Sequence, residues 1–373
     1  MKKCKELLKT YVSLPAALLY LSALFSLLFF AISLASPAFS DFFCENVAGL
    51  ARMCLAKLTG ILPFSLAETV ILSLPLIIIA MVVYVFRKSR QGDDLRVRRF
   101  FVTAFAIVSA FFTLFVFTYG TGYHGSTLDQ KLGIEKTKVS KDRLSSAALL
   151  LTDQVNELSM DVDYIYDSFS VMPYTFEEMN DKLNDAYAAA AKEYDFLLSY
   201  SSKLKPVMIS EGMSYAHLLG MYTYYTGEAN INVNSPDYIL PFTCAHEMSH
   251  QRGVSREDEA NFMAYLVCQR SDDLYIRYCG SLNLLEYVYD ALYSADKDAY
   301  YAVLRRLSPE VRAELAAYNA YFKKYENNTA ATVTGTLNDT FLKVNGQSAG
   351  SRSYGFVVDL AVAYLLPPDE QPS

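Results

Sequence analysis

Three long apolar segments in the first third of the chain are separated by short charged stretches. They extend over about 12–36, 66–86 and 100–120. A helix of roughly 20 apolar residues, rising 1.5 Å per residue, spans the hydrocarbon core of a bilayer. Pro75 lies within the second segment, and we expect a kink in that helix. The pattern predicts three transmembrane helices at the N-terminal end.

The first apolar segment also has features of a signal peptide, because the preceding residues MKKCKELLK are positively charged. Its apolar stretch is much longer than the central region of a usual signal peptide, and two further apolar segments follow it. We therefore expect the first segment to stay attached to the protein as part of a membrane anchor.

The pattern changes after residue 139, where apolar residues mostly recur at spacings of three and four. This spacing is typical of helices with one buried face, and it predicts helices over 140–160 and 174–204. Residues 308–310, Ser-Pro-Glu, have the order of a helix start, with a capping Ser, a Pro and then an acid. The region after the apolar segments is therefore predicted to be mainly α.

One short segment in this region alternates between polar and apolar residues. Residues 227–234, GEANINVN, place Glu and Asn side chains on one face and Ala, Ile and Val on the other, as a β-strand does. The polar face lies in solvent if this is an edge strand. Alternatively, it lines a cleft and pairs with an extended peptide substrate. The sequence predicts a small β element in either case.

The distribution of charge predicts how the chain lies across a membrane. Residues 1–123 contain 12 basic and 6 acidic residues, which leaves 21 basic and 34 acidic residues in the remainder. The basic residues concentrate before the first apolar segment and between the second and third. By the positive-inside rule the N-terminus is cytoplasmic. We expect a multi-pass anchor at 1–123 in the cell membrane and an extracytoplasmic domain at 124–373.

The net charge also limits the partners of the protein. The chain is 52% hydrophobic, and its second part carries a clear excess of acidic residues. An acidic domain does not attract the phosphates of a nucleic acid, so we expect no nucleic-acid partner. The expected partners are the lipid bilayer and a peptide or protein substrate. Nothing in the composition indicates an oligomeric state.

The 6 cysteines do not form a regular disulfide framework or a CxxC pattern. Cys44 and Cys54 lie in the same predicted loop, where they could pair. Cys244, Cys268 and Cys279 surround the most informative motif of the chain. We interpret these three as buried packing residues and not as metal ligands.

That motif is His-Glu-x-x-His at residues 246–250, and it contains 2 of the 4 histidines of the chain. On a helix, His246 and His250 project from the same face and can bind one ion. Glu247 lies near that face, where it can accept a proton from a zinc-bound water as a general base. The motif predicts a Zn²⁺ site. We interpret His124 and His217 as ordinary satisfied or solvated histidines.

A turn after the motif is expected to bring a second helix back towards the first. Gly253 can end the first helix in a left-handed conformation. Ser255 and Asp258 have the spacing of a capping box, which favours the start of a new helix. The acidic residues that follow Ser255 would then lie close to the two histidines.

The third metal ligand is predicted among these acidic residues. A catalytic zinc ion usually has three protein ligands and one open position, and no His or Cys follows at a suitable spacing. Glu257, in the first turn of the second helix, is our candidate. Glu259 is the alternative, and it points about 200° away around the helix, so we expect only one of them to bind. Asn261 is expected to hydrogen-bond one of the histidines.

These residues carry two resemblances to known families. His-Glu-x-x-His followed by Glu-Asp-Glu-Ala-Asn at 257–261 is similar to the gluzincin arrangement, in which two His and one Glu hold zinc. The segments PVMISEGMSY, TGEANIN, PFTCAHEMSHQRGVSREDEANF and SYGFVVDLAVAY resemble a bacterial membrane family catalogued as domain of unknown function 3810. This second resemblance extends over most of the chain.

The resemblances imply a fold and a set of catalytic residues. The membrane family has N-terminal transmembrane helices, a C-terminal HExxH domain and no established substrate, which implies a helical zincin-like domain after the anchor. Zincins often use a Tyr or a His to stabilise the oxyanion. Tyr354, in the Ser-Tyr-Gly sequence of the last matching segment, is the candidate for that role.

The expected function is that of a membrane-anchored zinc metallopeptidase that hydrolyses peptide bonds outside the membrane. His246, His250 and Glu257 are expected to hold the ion, and Glu247 and Tyr354 to act in catalysis. One alternative is a non-catalytic membrane sensor or assembly factor with a structural metal site. Another is a zinc hydrolase that acts on cell-wall amides or on lipids.

Overall fold

The computed structural model describes residues 10–135, 138–165, 168–326, 328–347 and 356–367. The chain is mostly helical and contains one small three-stranded sheet, which confirms the predicted fold class. The first elements are helix α1 (Leu14–Ala35), helix α2 (Pro37–Phe42), a π-helical turn (Phe43–Ala48), helix α3 (Gly49–Gly60), helix α4 (Leu66–Arg90) and helix α5 (Asp94–Thr118).

Helices α1, α4 and α5 are long and apolar enough to cross a membrane. They coincide with the three predicted segments, which indicates that the protein is associated with a membrane. Helix α1 packs along α5, where the Tyr20 hydroxyl donates to the Val102 carbonyl at 2.6 Å. Helix α4 is continuous through Pro75 and begins at Ser65, whose side chain accepts the Glu68 N–H at 2.9 Å.

The remaining elements form a second packed region. They are a 3₁₀ turn (Gly120–His124), α6 (Leu128–Leu132), α7 (Lys141–Ser159), α8 (Phe176–Ala190), β1 (Lys205–Pro206), α9 (Ser210–Tyr215), β2 (Gly220–Thr223), β3 (Glu228–Ile231), α10 (Ile239–Gln251), α11 (Glu257–Gln269), α12 (Leu274–Ala295), α13 (Lys297–Leu304), α14 (Pro309–Phe322), a 3₁₀ turn (Lys323–Tyr325), α15 (Thr329–Val344) and α16 (Val357–Leu365). Helix α12 lies at the centre, in contact with α7, α10, α11, α13 and α16.

The sequence patterns located some of these helices correctly. The predicted helix at 140–160 is α7, and Ser308 caps α14 through its side chain, as expected. The helix predicted over 174–204 is too long, because α8 ends at Ala190. The segment after it is irregular, although Leu197 and Leu204 reach the core. Buried leucines therefore imitated a helical spacing in a segment that turns back along α8.

The sheet has the strand order β1–β3–β2, with β1 parallel and β2 antiparallel to β3. The predicted strand is β3, but it is the central strand, and all four of its residues are buried. Both of its edges are already paired, so it neither lies in solvent nor offers an edge to a peptide. The two roles expected for its polar face are therefore wrong.

The polar residues of β3 instead contact the start of helix α4. The two carboxylate oxygens of Glu228 accept the Leu66 N–H at 3.0 Å and the Ala67 N–H at 2.8 Å. The Ser65 hydroxyl donates to Asn230 Oδ1 at 2.6 Å. The first N–H groups of a helix have no partner within it, and a carboxylate is favoured there by the helix dipole. The strand therefore caps a membrane helix.

Two buried cations, Arg52 in α3 and Lys205 in β1, link the segment between α1 and α4 to the second region. Arg52 is 1% exposed, and its guanidinium donates to the carbonyls of Gln251 at 3.1 Å and of Thr118 and Cys44 at 2.8 Å. The Lys205 ammonium donates to two carbonyls at the end of α3 and just after it. Buried charges are stable only when they are hydrogen-bonded, so these contacts hold α3 against the second region.

The three cysteines around the motif, Cys244, Cys268 and Cys279, are fully buried and free, which confirms their packing role. Burial raises the pKa of each thiol, so these cysteines remain protonated. Cys44 and Cys54, for which the sequence left a pairing open, are both free. Cys44 is buried next to the Arg52 guanidinium, whereas Cys54 is exposed on α3.

Candidate metal site

Two helices joined by a tight turn carry the predicted ligands. Gly253 has a φ of 104°, and a Cβ atom there would lie 2.4 Å from the Arg52 guanidinium, so both backbone and space require glycine. The expected capping box is wrong. Arg256 is the residue that precedes α11, and it makes no side-chain cap. The Ser255 hydroxyl instead donates to the carbonyl of Tyr119, a partner distant in sequence.

The turn brings three side chains together. Glu257 Oε2 lies 3.2 Å from His246 Nε2 and 3.4 Å from His250 Nε2, and the two Nε2 atoms are 3.1 Å apart. Ligands bound at about 2.0–2.1 Å in a tetrahedron are about 3.3 Å from one another. The three residues could therefore hold a metal ion. Within the described ranges, no other His, Cys, Asp or Glu joins this group.

The imidazole of His250 is oriented by the backbone. Its Nδ1 lies 2.7 Å from the Val254 carbonyl, to which it can donate, and 3.1 Å from the Tyr119 hydroxyl. A proton on Nδ1 leaves the Nε2 lone pair free to bind a metal, and such outer contacts fix the tautomer of metal-binding histidines. The Tyr119 hydroxyl also lies 3.3 Å from the Ser255 carbonyl. Tyr119 immediately follows α5, so a membrane helix ends against this site.

Asn261 does not make the hydrogen bond to a histidine that the sequence predicted. Its Nδ2 atom is buried and has no partner among the described residues, and the same is true of His246 Nδ1. Asn261 is 3% exposed and lies on the wall of a cavity beside His246. A buried amide donor without a partner is costly, so it is available for a ligand in that cavity.

The second candidate for the third ligand, Glu259, points away from the histidines. Its carboxylate accepts the Arg256 guanidinium at 2.8 Å and the Leu128 N–H at 2.9 Å. Residues two positions apart on a helix point about 200° apart, which explains why only Glu257 reaches the histidines. The structure thus gives Glu259 a contact with the start of α6.

Contacts within the cluster shift the pKa values of Glu257 and His250. Burial alone would raise the pKa of Glu257, but the two histidines lower it well below its usual value. Burial would lower the pKa of His250, but the Glu257 carboxylate raises it to about 9. The Glu257 carboxylate is therefore strongly stabilised as an anion next to a group that accepts positive charge.

Glu247 lies beside this cluster and is held by strand β2. Its carboxylate accepts the Tyr222 N–H, and burial raises its pKa despite the nearby histidines. A Cβ atom at Gly220 would lie 2.6 Å from both Cγ and Oε1 of Glu247. The other carboxylate oxygen, Oε2, has no partner in the part of the chain that the structure describes. A glycine in β2 thus creates the space that Glu247 occupies.

A cavity of about 220 Å³ opens next to these residues, and His246, Glu247 and Asn261 form part of its wall. A neighbouring cavity of about 500 Å³ shares the wall residues Leu219, Asn283 and Tyr287 with it. Together the two cavities have the size of a typical small-ligand or peptide site. The ligand cluster is therefore accessible from a cleft.

The family model described as protein of unknown function (DUF3810) matches residues 45–362. The chain belongs to this family. The match includes helices α4 and α5, the sheet and both helices of the metal cluster. Neither a curated protein nor a solved structure matches the chain at a significant level.

The remaining predicted residues of this DUF3810 protein lie elsewhere. His217 is on the wall of the smaller cavity, and its Nε2 is 2.8 Å from the Tyr325 carbonyl, as expected of a satisfied histidine. The ring of His124 packs on Phe30, and its Nε2 atom is buried without a partner among the described residues, so the interpretation of His124 as satisfied or solvated is wrong. Tyr354 lies outside the described residues, so its role in catalysis stays a prediction.

Sequence reasoning missed two residues that build the site. Tyr119 is one of 29 tyrosines, and nothing in its local sequence distinguishes it. Gly220 follows no recognisable motif, although a glycine at the start of a strand often marks a close approach of another group. That weak signal was the only local one available for Gly220.

Proposed function

We propose that this DUF3810 protein is a membrane-anchored zinc metallopeptidase with a gluzincin-like site. The observation that carries the proposal is the arrangement of His246, His250 and Glu257, whose ligand atoms are 3.1–3.4 Å apart beside Glu247. Glu257-Asp258-Glu259-Ala260-Asn261 has the gluzincin order, in which the first Glu is a ligand. Two imidazole nitrogens and one carboxylate are a donor set that suits zinc.

The number of ligands favours a catalytic over a structural ion. A structural zinc site is usually closed by four protein ligands, whereas a catalytic site keeps one position open. The cluster has three members among the described residues, and its member His246 lines a cavity together with the adjacent Glu247. A sensor or assembly factor with a structural ion would need a fourth ligand beside this group.

The side chains around the cluster have distinct roles in the proposed hydrolysis. When bound, the zinc ion polarises the scissile carbonyl and makes a water molecule more acidic. Glu247 then accepts the proton of the attacking water and passes it to the leaving amine. Its unpaired Oε2 is the atom that takes the proton, while the Tyr222 N–H holds the carboxylate in position. Asn261 Nδ2 is placed to donate to the bound substrate.

The proposed location of the site is the extracytoplasmic side of the cell membrane. Basic residues flank α1 at its start and lie between α4 and α5, which favours a cytoplasmic location for both of these ends. Because α5 then crosses outwards, Tyr119 and the metal cluster that it contacts lie outside. Peptides or proteins exposed on that surface are the proposed substrates.

Metal analysis of the full-length protein in detergent tests the ligand set. About one zinc per chain is expected in the wild type and in Glu259→Gln. His246→Ala and Glu257→Gln should lose it. Glu259→Gln is the matched control, because it removes the same charge two residues away. A wild-type chain that takes up no zinc, even after reconstitution, would exclude the proposal.

The catalytic role is tested separately with Glu247→Gln. This variant should keep its zinc and lose the hydrolysis of a peptide that is selected from a library with the wild-type protein. Wild-type turnover in Glu247→Gln would refute the proposed mechanism while leaving the metal site in place. If the protein hydrolyses lipids or cell-wall amides and cleaves no peptide, the proposed substrate class changes from peptides to that class.

A further inference from the structure

Helix α15 exposes an apolar stripe that no described residue covers. Val333, Leu337, Phe341 and Val344 are 52%, 66%, 40% and 78% exposed. Their spacings of four, four and three residues place them on one face of the helix. Leu342, on another face, is fully buried and anchors the helix to the protein. The stripe is therefore a second apolar face, in addition to the one that packs.

One residue of the stripe, Phe341, lies next to a membrane helix. The ring of Phe341 lies 6.1 Å from the ring of Phe115, in the last turn of α5, and 6.3 Å from the ring of Tyr123. Phe111 and Leu114, on the same part of α5, are 40% and 36% exposed. In a membrane helix these exposed side chains face lipid. The apolar stripe of α15 is thus continuous with a lipid-facing surface.

A second group of exposed apolar residues lies at the same end of the membrane helices. A short turn joins the end of α4 to the start of α5. The start of α4 and the end of α5 therefore lie at the same end of the membrane helices. The N–H groups of Met208 and Ile209 bond the Glu68 carboxylate in the first turn of α4. Their side chains are 84% and 44% exposed. Exposed apolar residues at this level therefore occur on two separate elements.

We propose that α15 lies flat on the bilayer that the membrane helices cross. Val333, Leu337 and Val344 then insert into the boundary between headgroups and acyl chains, about 5–10 Å deep. The flank of the helix is polar, with several threonines and an Asp339–Lys343 ion pair at 2.6 Å. Because this pair cancels its own charge, burial of apolar surface is the driving force, and anionic lipid is not needed.

This contact positions the metal site relative to the membrane. Gln347, three residues after the end of α15, lies 3.5 Å from Asp258 through its Nε2 atom. Asp258 directly follows Glu257 in α11. The Tyr119 hydroxyl at the end of α5 contacts His250 from the membrane side. The metal cluster is therefore held at the bilayer surface by α5 and by α15.

Tryptophan fluorescence tests the proposal without background, because the chain contains no Trp. The full-length Leu337→Trp protein is reconstituted in phosphatidylcholine vesicles whose acyl chains carry bromine near the headgroup. Bromine quenches only a tryptophan that it touches. We expect emission several-fold more strongly quenched than in the same protein in unbrominated vesicles, together with a shift to shorter wavelength.

A matched control lies on the polar flank of the same helix. Thr332 is also exposed, and it is five residues from Leu337, about 140° around the helix. Thr332→Trp should show little quenching. Leu76→Trp, in the middle of α4 and 71% exposed, is the reference for correct reconstitution, and it should be quenched in a second set of vesicles whose acyl chains carry bromine near their ends. If Leu337→Trp folds poorly, Val344→Trp tests the same stripe.

Two results would overturn the proposal. Equal quenching of Leu337→Trp and Thr332→Trp, with Leu76→Trp quenched normally, would mean that the stripe has no preferred contact with lipid. A blue-shifted but unquenched Leu337→Trp would mean that another protein surface, such as a second copy of the chain, covers the stripe. Neither result depends on zinc or on hydrolysis, so the test is independent of the proposed function.

Discussion

The hydroxyl oxygen of Tyr119 lies 3.1 Å from Nδ1 of His250, although the two residues are 131 positions apart. Tyr119 is the first residue after helix α5, and His250 is the second histidine of the HExxH motif. A membrane helix therefore ends in direct contact with a candidate metal ligand. Helix α5 is therefore part of the surroundings of the site.

Tyr119→Phe tests this contact. The variant removes a buried hydroxyl that contacts His250 Nδ1 and the Ser255 carbonyl. Loss of such an outer contact typically lowers metal affinity by 10–100-fold, and we expect about 10-fold because the Val254 carbonyl still orients the imidazole. Competition with a zinc chelator measures the affinity.

Tyr222→Phe is the control for that prediction. Its hydroxyl is buried and has no partner among the described residues, and its ring lies 5.5 Å from that of Tyr119. Removal of this hydroxyl should leave the zinc affinity unchanged. Equal losses in both variants would indicate a general effect on packing and would contradict the role given to Tyr119.

Gly220→Ala should displace Glu247. The new methyl group would lie 2.6 Å from Cγ and Oε1 of Glu247, too close for the present position of the carboxylate. We expect hydrolysis to fall by about 100-fold, within the usual contribution of a general base, while the zinc content stays at one per chain. The exposed Gly212, where a methyl group would meet only Ile209 at 4.0 Å, provides the control variant Gly212→Ala. Normal turnover in Gly220→Ala would show that Glu247 does not need this position.

Glu228→Ala should destabilise the junction between the sheet and helix α4. It leaves the N–H groups of Leu66 and Ala67 without their acceptor in a buried position. Each unsatisfied buried donor costs about 1–3 kcal/mol, so for two donors we expect a loss of about 2–6 kcal/mol in the free energy of unfolding. Thermal unfolding in detergent measures the change. The control variant Glu157→Ala, at an exposed position of α7, should change the stability little. A similar loss in both variants would contradict the specific role given to Glu228.

The raised pKa of Glu286, in helix α12, should make the stability of the fold depend on pH. Burial, together with Asp290 and Glu314, raises its pKa to about 8, although the Tyr238 hydroxyl donates to it at 3.0 Å. The pKa of an unfolded Glu is about 4.3, so the folded state binds this proton more tightly. The resulting stabilisation is complete below about pH 4 and is lost as the pH rises through about 8.

The measurement compares the wild type with Glu286→Gln, which keeps an uncharged acceptor for Tyr238. Between about pH 5 and about pH 9, the melting temperature of the wild type should fall relative to that of the variant. A difference that does not change with pH would mean that Glu286 is charged throughout this range. The exposed Glu157→Gln variant controls for general effects of charge removal.

The features that the sequence predicted well depend on short-range patterns. A membrane helix needs only about 20 apolar residues in a row, and α1, α4 and α5 follow from that requirement. His246 and His250 face the same way because residues four apart on a helix do so. Short-range patterns alone do not decide between Glu257 and Glu259, because that choice depends on the angle at which the turn at Gly253 sets α11 against α10.

What only the tertiary structure decided are the contacts between distant segments. The polar face of β3 was expected to face solvent or a substrate, but Glu228 caps α4, 162 positions away from Leu66. Tyr119 carries no local signal and Gly220 only a weak one, because their roles exist only where α5 and β2 meet α10. Alternation or spacing along the chain determines which residues share a face. The packing of the whole molecule determines which partner covers that face. Buried polar groups need hydrogen-bond partners, and only the tertiary structure brings those partners close.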